Sequence, residues 1–205
     1  KADIKFLNKN KILNIFVLSY KNDNYFFEGD LLDISKFLNS TKKNKYKIFD
    51  EKEKKVNFKI KKVYLNKNDY TSNLLADLNF KNNQVTKLSL NSLFLNGKKL
   101  VLTINTNDAR EKITNLYTTY PKPLIKRYKF IKGFEEGILD FQSIEKNGIS
   151  NSILVIDNFK VKEVPALAKI LTLASLQGIA DLLTGEGIRF TDFDMKFSTK
   201  NNLTE

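Results

Sequence analysis

Residues 55–106, "KVNFKIKKVYLNKNDYTSNLLADLNFKNNQVTKLSLNSLFLNGKKLVLTINT", hold four apolar-rich runs separated by short polar breaks. The runs cover 55–65, 70–80, 84–95 and 98–106, and the breaks are "NKND", "KNN" and "NG". Asparagine, aspartate and glycine tolerate turn geometry, so the breaks read as tight connections between strands. Side chains alternate across a strand. Val56, Phe58 and Ile60 therefore share one face while Asn57, Lys59 and Lys61 take the other, and Leu100, Leu102 and Ile104 repeat the pattern. Short, regular spacing predicts antiparallel pairing in a meander.

Working outward, "ILNIFVLSY" (12–20) and "NYFFEGDLL" (24–32) flank "KND", a hairpin spacing. Downstream, Asp108 can cap a helix whose Ile113, Leu116 and Tyr117 fall on one face, with Pro121 and Pro123 ending it. A helical insertion is thus expected over 108–119. Three more strands are expected at 124–133, 137–146 and 150–162, and a last one at 187–197. The sum is about ten strands with two helical interruptions, the second at 165–184. No boundary divides residues 1–205, so the expected fold is mainly β: one elongated, curved antiparallel sheet forming a single body. The chain has 205 residues, starts at Lys1 and has one methionine, Met195. That start suggests a piece of a longer protein, with any signal or anchor helix upstream.

Residues 164–190, "VPALAKILTLASLQGIADLLTGEGIRF", form the longest apolar stretch. Lys169, Gln177 and Asp181 interrupt it, which argues against a membrane span of about 20 apolar residues. Leu167, Ile170, Leu171 and Ala174 make one stripe at helical spacing, and Leu176, Ile179, Ala180 and Leu183 make a second. At about 100° per residue the stripes would face opposite sides of one straight helix. A break near Ser175–Gly178 lets both face one surface, so two short amphipathic helices are predicted, opened by Pro165 and stopped at Gly185. They either cover the end of a sheet core or line an apolar groove, and Leu173 and Leu182 add apolar surface. The pattern is compatible with both.

The net charge is +12, carried unevenly. Residues 1–150 hold 29 Lys/Arg against 16 Asp/Glu, while residues 151–205 hold 6 against 7. The run 42–62 alone has ten lysines and three acids. Lysine far outnumbers arginine, the better side chain for bidentate phosphate and base contacts. A solvated surface is favoured over a nucleic-acid patch, and attraction to an anionic membrane surface stays open. "YKF" (128–130) and "NYFF" (24–27) set aromatics beside polar or basic residues without the glycine–aromatic pattern of RNA-binding sheets.

Catalytic chemistry finds little support. With no histidine and no cysteine, the usual neutral-pH base, thiol nucleophiles and thiolate metal sites are all missing. "GEG" (185–187) is no dinucleotide fingerprint, and there is no phosphate-binding P-loop motif. Two carboxylate pairs occur, Glu135–Glu136 and Asp192 with Asp194. Such pairs can serve glycoside hydrolysis or calcium binding, but no further ligand stands near them in sequence. No enzyme activity, metal or cofactor is expected.

One resemblance goes further. At 153–197, "ILVIDNFKVKEVPALAKILTLASLQGIADLLTGEGIRFTDFDMKF", the chain resembles the C-terminal region of bacterial AsmA-like proteins, the group of TamB and YhdP relatives. Asp157, Phe159 and Val161 match that family's strand. Pro165, Leu167, Ala168, Leu171, Ala174, Ser175, Leu176, Gly178, Asp181, Leu183, Gly185, Glu186, Gly187 and Phe190 match its helical segment and exit. Val164, Thr172 and Gln177 are mild departures. Upstream, "LTINTNDAREKITNL" (102–116) is similar to a family strand and helix, with Arg110 in place of a glycine, and "FEGDLLDISKFL" (27–38) is similar to another family element.

The resemblance implies a β-groove protein of the Gram-negative envelope, periplasmic and anchored in the inner membrane by an N-terminal segment. It implies phospholipid as the cargo, carried toward the outer membrane, together with a membrane surface met through the full-length chain and other envelope proteins as partners; nucleic acid is not among them. Groove candidates are Val155, Phe159 and Val161 with Leu167, Ile170, Leu171, Ala174, Leu176, Ile179 and Leu183. Alternation leaves the opposite parity, Leu154 and Ile156, equally open. The alternative is a structural or interaction β-domain without lipid, and a weaker third reading is a polyanion binder using the 42–62 lysines.

Overall fold

A computed structural model describes residues 1–8, 11–36, 53–82, 84–162, 187–200 and 203–204. It is mainly β: one open, curved sheet of twelve strands whose spatial order is the chain order. The strands are β1 (Ala2–Leu7), β2 (Leu13–Lys21), β3 (Asn24–Asp33), β4 (Lys54–Tyr64), β5 (Tyr70–Lys81) and β6 (Gln84–Leu93). There follow a 3-10 turn (Leu95–Gly97), β7 (Lys99–Thr106), β8 (Lys112–Thr118) and the helix α1 (Lys122–Tyr128). The last strands are β9 (Phe134–Lys146), β10 (Ile149–Val161), β11 (Ile188–Lys200) and the two-residue β12 (Leu203–Thr204). The expected strands at 12–20, 24–32, 55–65, 70–80, 84–95, 98–106, 137–146, 150–162 and 187–197 all form, within a few residues; β1 and β12 had no sequence signal strong enough to notice.

Turn chemistry explains the hairpins. Asn22 and Asp23 both have positive φ, 49° and 59°, and connect β2 to β3. Asn147 and Gly148, at 53° and 76°, do the same between β9 and β10. Two successive left-handed residues match the twist of the paired strands, and Asn, Asp and Gly adopt them at least cost.

Three expectations need correction. The meander is not wholly antiparallel, because β3 and β4 pair in parallel, Tyr25 opposite Val56 and Leu32 opposite Val63. A parallel pair needs a crossover of a dozen or more residues, and residues 34–53 provide that length. The helix expected over 108–119 is instead a turn followed by β8. Arg110 takes φ 59°, and the Asn107 side-chain oxygen accepts from the Glu111 backbone N–H at 2.9 Å, which closes a loop where a helix would have to continue. Ile113 and Thr114, both β-branched, then favour extension. The strand expected over 124–133 begins as α1. Pro121 and Pro123 do not end a preceding helix; they open this one, where a missing N–H costs nothing. The second helical insertion, 165–184, lies outside the described residues.

Two apolar clusters hold the sheet. One gathers Phe16, Ile60, Val63, Leu74, Ala76 and Leu88; the other gathers Ile125, Phe134, Leu139, Leu154, Ile156, Phe159, Val161 and Ile188. Leu102 packs on the first and Leu116 on the second, and these two residues are cross-strand partners. Directly opposed residues project to the same side of a sheet, so both clusters lie on one continuous face. α1 docks there through Ile125, which is 4% exposed. Gly29 marks a tight point, since a Cβ on it would stand 2.3 Å from the Ile15 carbonyl oxygen and 2.5 Å from Phe16.

Candidate functional site

Strand registers bring the apolar residues of successive strands into line. Leu18, Phe27, Phe58, Ala76, Leu90, Leu102, Leu116, Phe141, Leu154 and Met195 are consecutive cross-strand partners from β2 to β11. Ten strands thus give ten apolar side chains in one file, eight of them half-buried and Ala76 and Leu154 buried. At about 4.8 Å between strands the file runs roughly 43 Å. Phe27 and Phe58 stack within it, ring centroids 4.7 Å apart. A second file beside it includes Leu100, Thr118, Leu139, Ile156 and Phe193.

The opposite face is richer in polar side chains, although Leu75, Ile144 and Ile153 also stand exposed on it. Asn57 bonds Asp77, and Gln142 donates to Asn115 (3.2 Å), which donates to Thr103 (3.4 Å). Asp192, Asp194 and Lys196 alternate on β11 with half-buried Phe193, Met195 and Phe197. The carboxylates of the Asp192–Asp194 pair therefore share an exposed face, as their spacing requires. No cluster of three or more potential metal ligands occurs among the described residues.

The three described groove candidates separate. Phe159 and Val161 belong to the second apolar cluster, and so do Leu154 and Ile156 of the opposite parity. Asn158 reconciles them: at φ 50° it breaks the alternation of β10, so that even-numbered residues before it and odd-numbered residues after it join one cluster. Gly137, its neighbour across β9, is also at positive φ, 84°, and a Cβ there would lie 3.0 Å from the Phe159 Cβ. Val155 lies on the other side, paired with Asp140 and Asp194 on the polar face. Leu167, Ile170, Leu171, Ala174, Leu176, Ile179 and Leu183 lie outside the described residues.

At the end of the sheet bearing Phe159, rings and charges are layered. Phe134, Phe159 and Phe190 stack in sequence, with centroids 5.4 and 5.1 Å apart. Glu135 accepts from Lys122 at 2.6 Å and lies 3.9 Å from Lys162; Glu136 pairs with Lys160 at 3.3 Å and Arg189 at 3.2 Å. Partial burial pushes the Glu136 carboxyl up, but Lys160 and Arg189 together outweigh it and hold the group below its ordinary range. This carboxylate pair thus ties α1, β9, β10 and β11 together. In the 42–62 run, the described Lys61 pairs with Asp30 at 2.7 Å and Lys62 lies over the Tyr70 ring at 3.9 Å.

Sequence reasoning missed most of the long file. Alternation places Phe58 and Leu102 on strand faces and Leu154 at the opposite parity, and helical spacing places Leu116 on a helix, but strand pairing aligns them with Leu18, Phe27, Ala76 and Phe141. No family model, curated protein or solved structure matches the chain. No helix among the described residues is long and apolar enough to cross a membrane.

Proposed function

We propose that this chain is a non-catalytic lipid-binding module, the C-terminal region of an AsmA-like envelope protein that carries phospholipid acyl chains between the inner and outer membranes. The observation that carries the reading is the file of ten apolar side chains from Leu18 to Met195 on one face of an open sheet. Its length of roughly 43 Å exceeds the hydrocarbon depth of a whole bilayer, about 30 Å. An acyl chain laid on such a face gains about 0.8 kcal/mol per buried CH₂ and needs no specific polar partner. The headgroup can stay in water beside the polar rim. In this reading the body is periplasmic.

A second reading has one observation in its favour. Ile60 and Ile156 are already 1% and 0% exposed, so parts of the face serve as closed core. A structural or interaction domain would use the whole face that way. Native mass spectrometry with lipid extraction, on protein prepared without detergent, separates the two. Co-purifying phospholipid that is lost in Leu116→Glu, with the circular dichroism spectrum unchanged, supports carriage. Stable protein that holds no lipid and takes up none when it is offered supports the structural reading.

A further inference from the structure

The turn leaving α1 has a chemistry of its own. Residues 124–134, "LIKRYKFIKGF", include Lys126, Arg127, Lys129 and Lys132 and no acid. Tyr128 is 75% exposed and Phe130 38%, and Lys126, Lys129 and Lys132 are exposed around them. The next carboxylate along the sequence, Glu135, is held by Lys122 and Lys162. Lys129 closes the helix at φ 54°, its N–H donating to the carbonyls of Ile125 and Lys126, which fixes the direction in which the chain turns outward. The base of the turn is anchored, with Ile125 buried in the second cluster and the Phe130 ring edge-on to Phe193, centroids 5.7 Å apart. Phe193 pairs with Ile156 on the apolar face. A cationic turn with an exposed tyrosine, anchored at its base, therefore stands beside that face.

From this charge complementarity we infer that the 126–132 turn docks onto the surface of an anionic phospholipid bilayer. Lysines near such a surface attract its headgroups, and an aromatic ring with a polar tip settles at the interface between headgroups and chains. Nucleic acid fits less well. Single-strand binders track the backbone along a groove and stack successive bases on several rings, whereas here exposed cations flank one largely exposed ring within a short turn. The docking goes beyond the lipid-carrying reading and is separable from it, because vesicle binding can fail while lipid still co-purifies.

The test is co-flotation of the protein with phosphatidylcholine vesicles, with and without phosphatidylglycerol, across a salt series. Binding is expected only with the anionic lipid and should weaken as salt rises. Lys126→Ala with Lys129→Ala should lower affinity about tenfold to thirtyfold, two lysines near a charged surface being removed. Tyr128→Ala, at a side chain too exposed to matter to folding, should lower it severalfold. Lys59→Ala with Lys196→Ala, on the polar face, should leave it within about twofold, since both lie away from the contact. Equal losses in the two lysine pairs would mean diffuse attraction by the net charge and would overturn the inference. So would absence of binding to anionic vesicles, or tighter binding to single-stranded DNA through the same residues.

Discussion

Asn158 occupies the left-handed region at φ 50°, inside the thirteen-residue β10 and three residues from its end. Asparagine tolerates that conformation and a β-branched residue does not. Asn158→Val should lower stability by about 1–2 kcal/mol, whereas Asn158→Gly should hold it, as read from urea unfolding midpoints. Thr71 offers a test of opposite sign. It is fully buried, and its hydroxyl has no hydrogen-bond partner among the described residues. A buried hydroxyl without a partner costs about 1–3 kcal/mol, so Thr71→Val, which keeps the shape, should raise the midpoint. At this scale the sequence was only half legible. The alternation of β10 could be read, but not the residue at which it reverses, because asparagine is abundant here and most of its copies occupy ordinary positions. That is why Val155 was grouped with Phe159 and Val161 although it projects to the other side.

Elements were most legible where turn residues and alternation agreed, as in the hairpin of β9 and β10, where "NG" joins two alternating runs at 147–148. They were least legible around 107–133. Three apolar residues at helical spacing were too small a sample to outweigh β-branched neighbours, and the prolines carried a signal for a start that was read as a stop. α1 earns its place through burial rather than length: seven residues are too few for a helix to persist unsupported. Ile125→Ala should therefore cost about 2–4 kcal/mol in chemical denaturation. The turn before β8 carries a pH signature. Lys146 donates to Glu111 at 2.9 Å, Asn107 adds a second hydrogen bond, and the carboxyl is held below its ordinary value of 4.5. A depressed folded-state value stabilises the protein above the ordinary carboxylate range, and the contribution is lost as pH falls through the lower folded value. Midpoints measured from pH 6 down to 3 should fall less steeply in Glu111→Gln than in the parent. Because the group is solvent-exposed, added salt should shrink the difference.

At the scale of the molecule, the mainly β architecture was legible, since runs of alternating residues with short polar breaks leave few other folds. The parallel pairing of β3 and β4 was not, because strand direction depends on how the 34–53 connection returns, and local sequence does not encode that path. The long apolar file was also hidden: each strand contributes one residue to it, and only the registers bring those residues into line. If the file receives acyl chains, Leu102→Glu and Leu116→Glu should each reduce lipid uptake severalfold while leaving the polar face and its hydrogen bonds in place, as measured by fluorescent fatty-acid titration.

The open order of the sheet, with β1 at one margin and β11–β12 at the other, also sets how the molecule yields to mechanical load. Inter-strand hydrogen bonds run perpendicular to the strands, so a pull between the margins loads them along their own direction, one ladder after another. In optical tweezers, with handles on β1 and β11, the chain should come apart in a staircase of small extensions at low force. A shear-loaded β-sandwich, whose ladders must all break at once, would instead rupture in a single event.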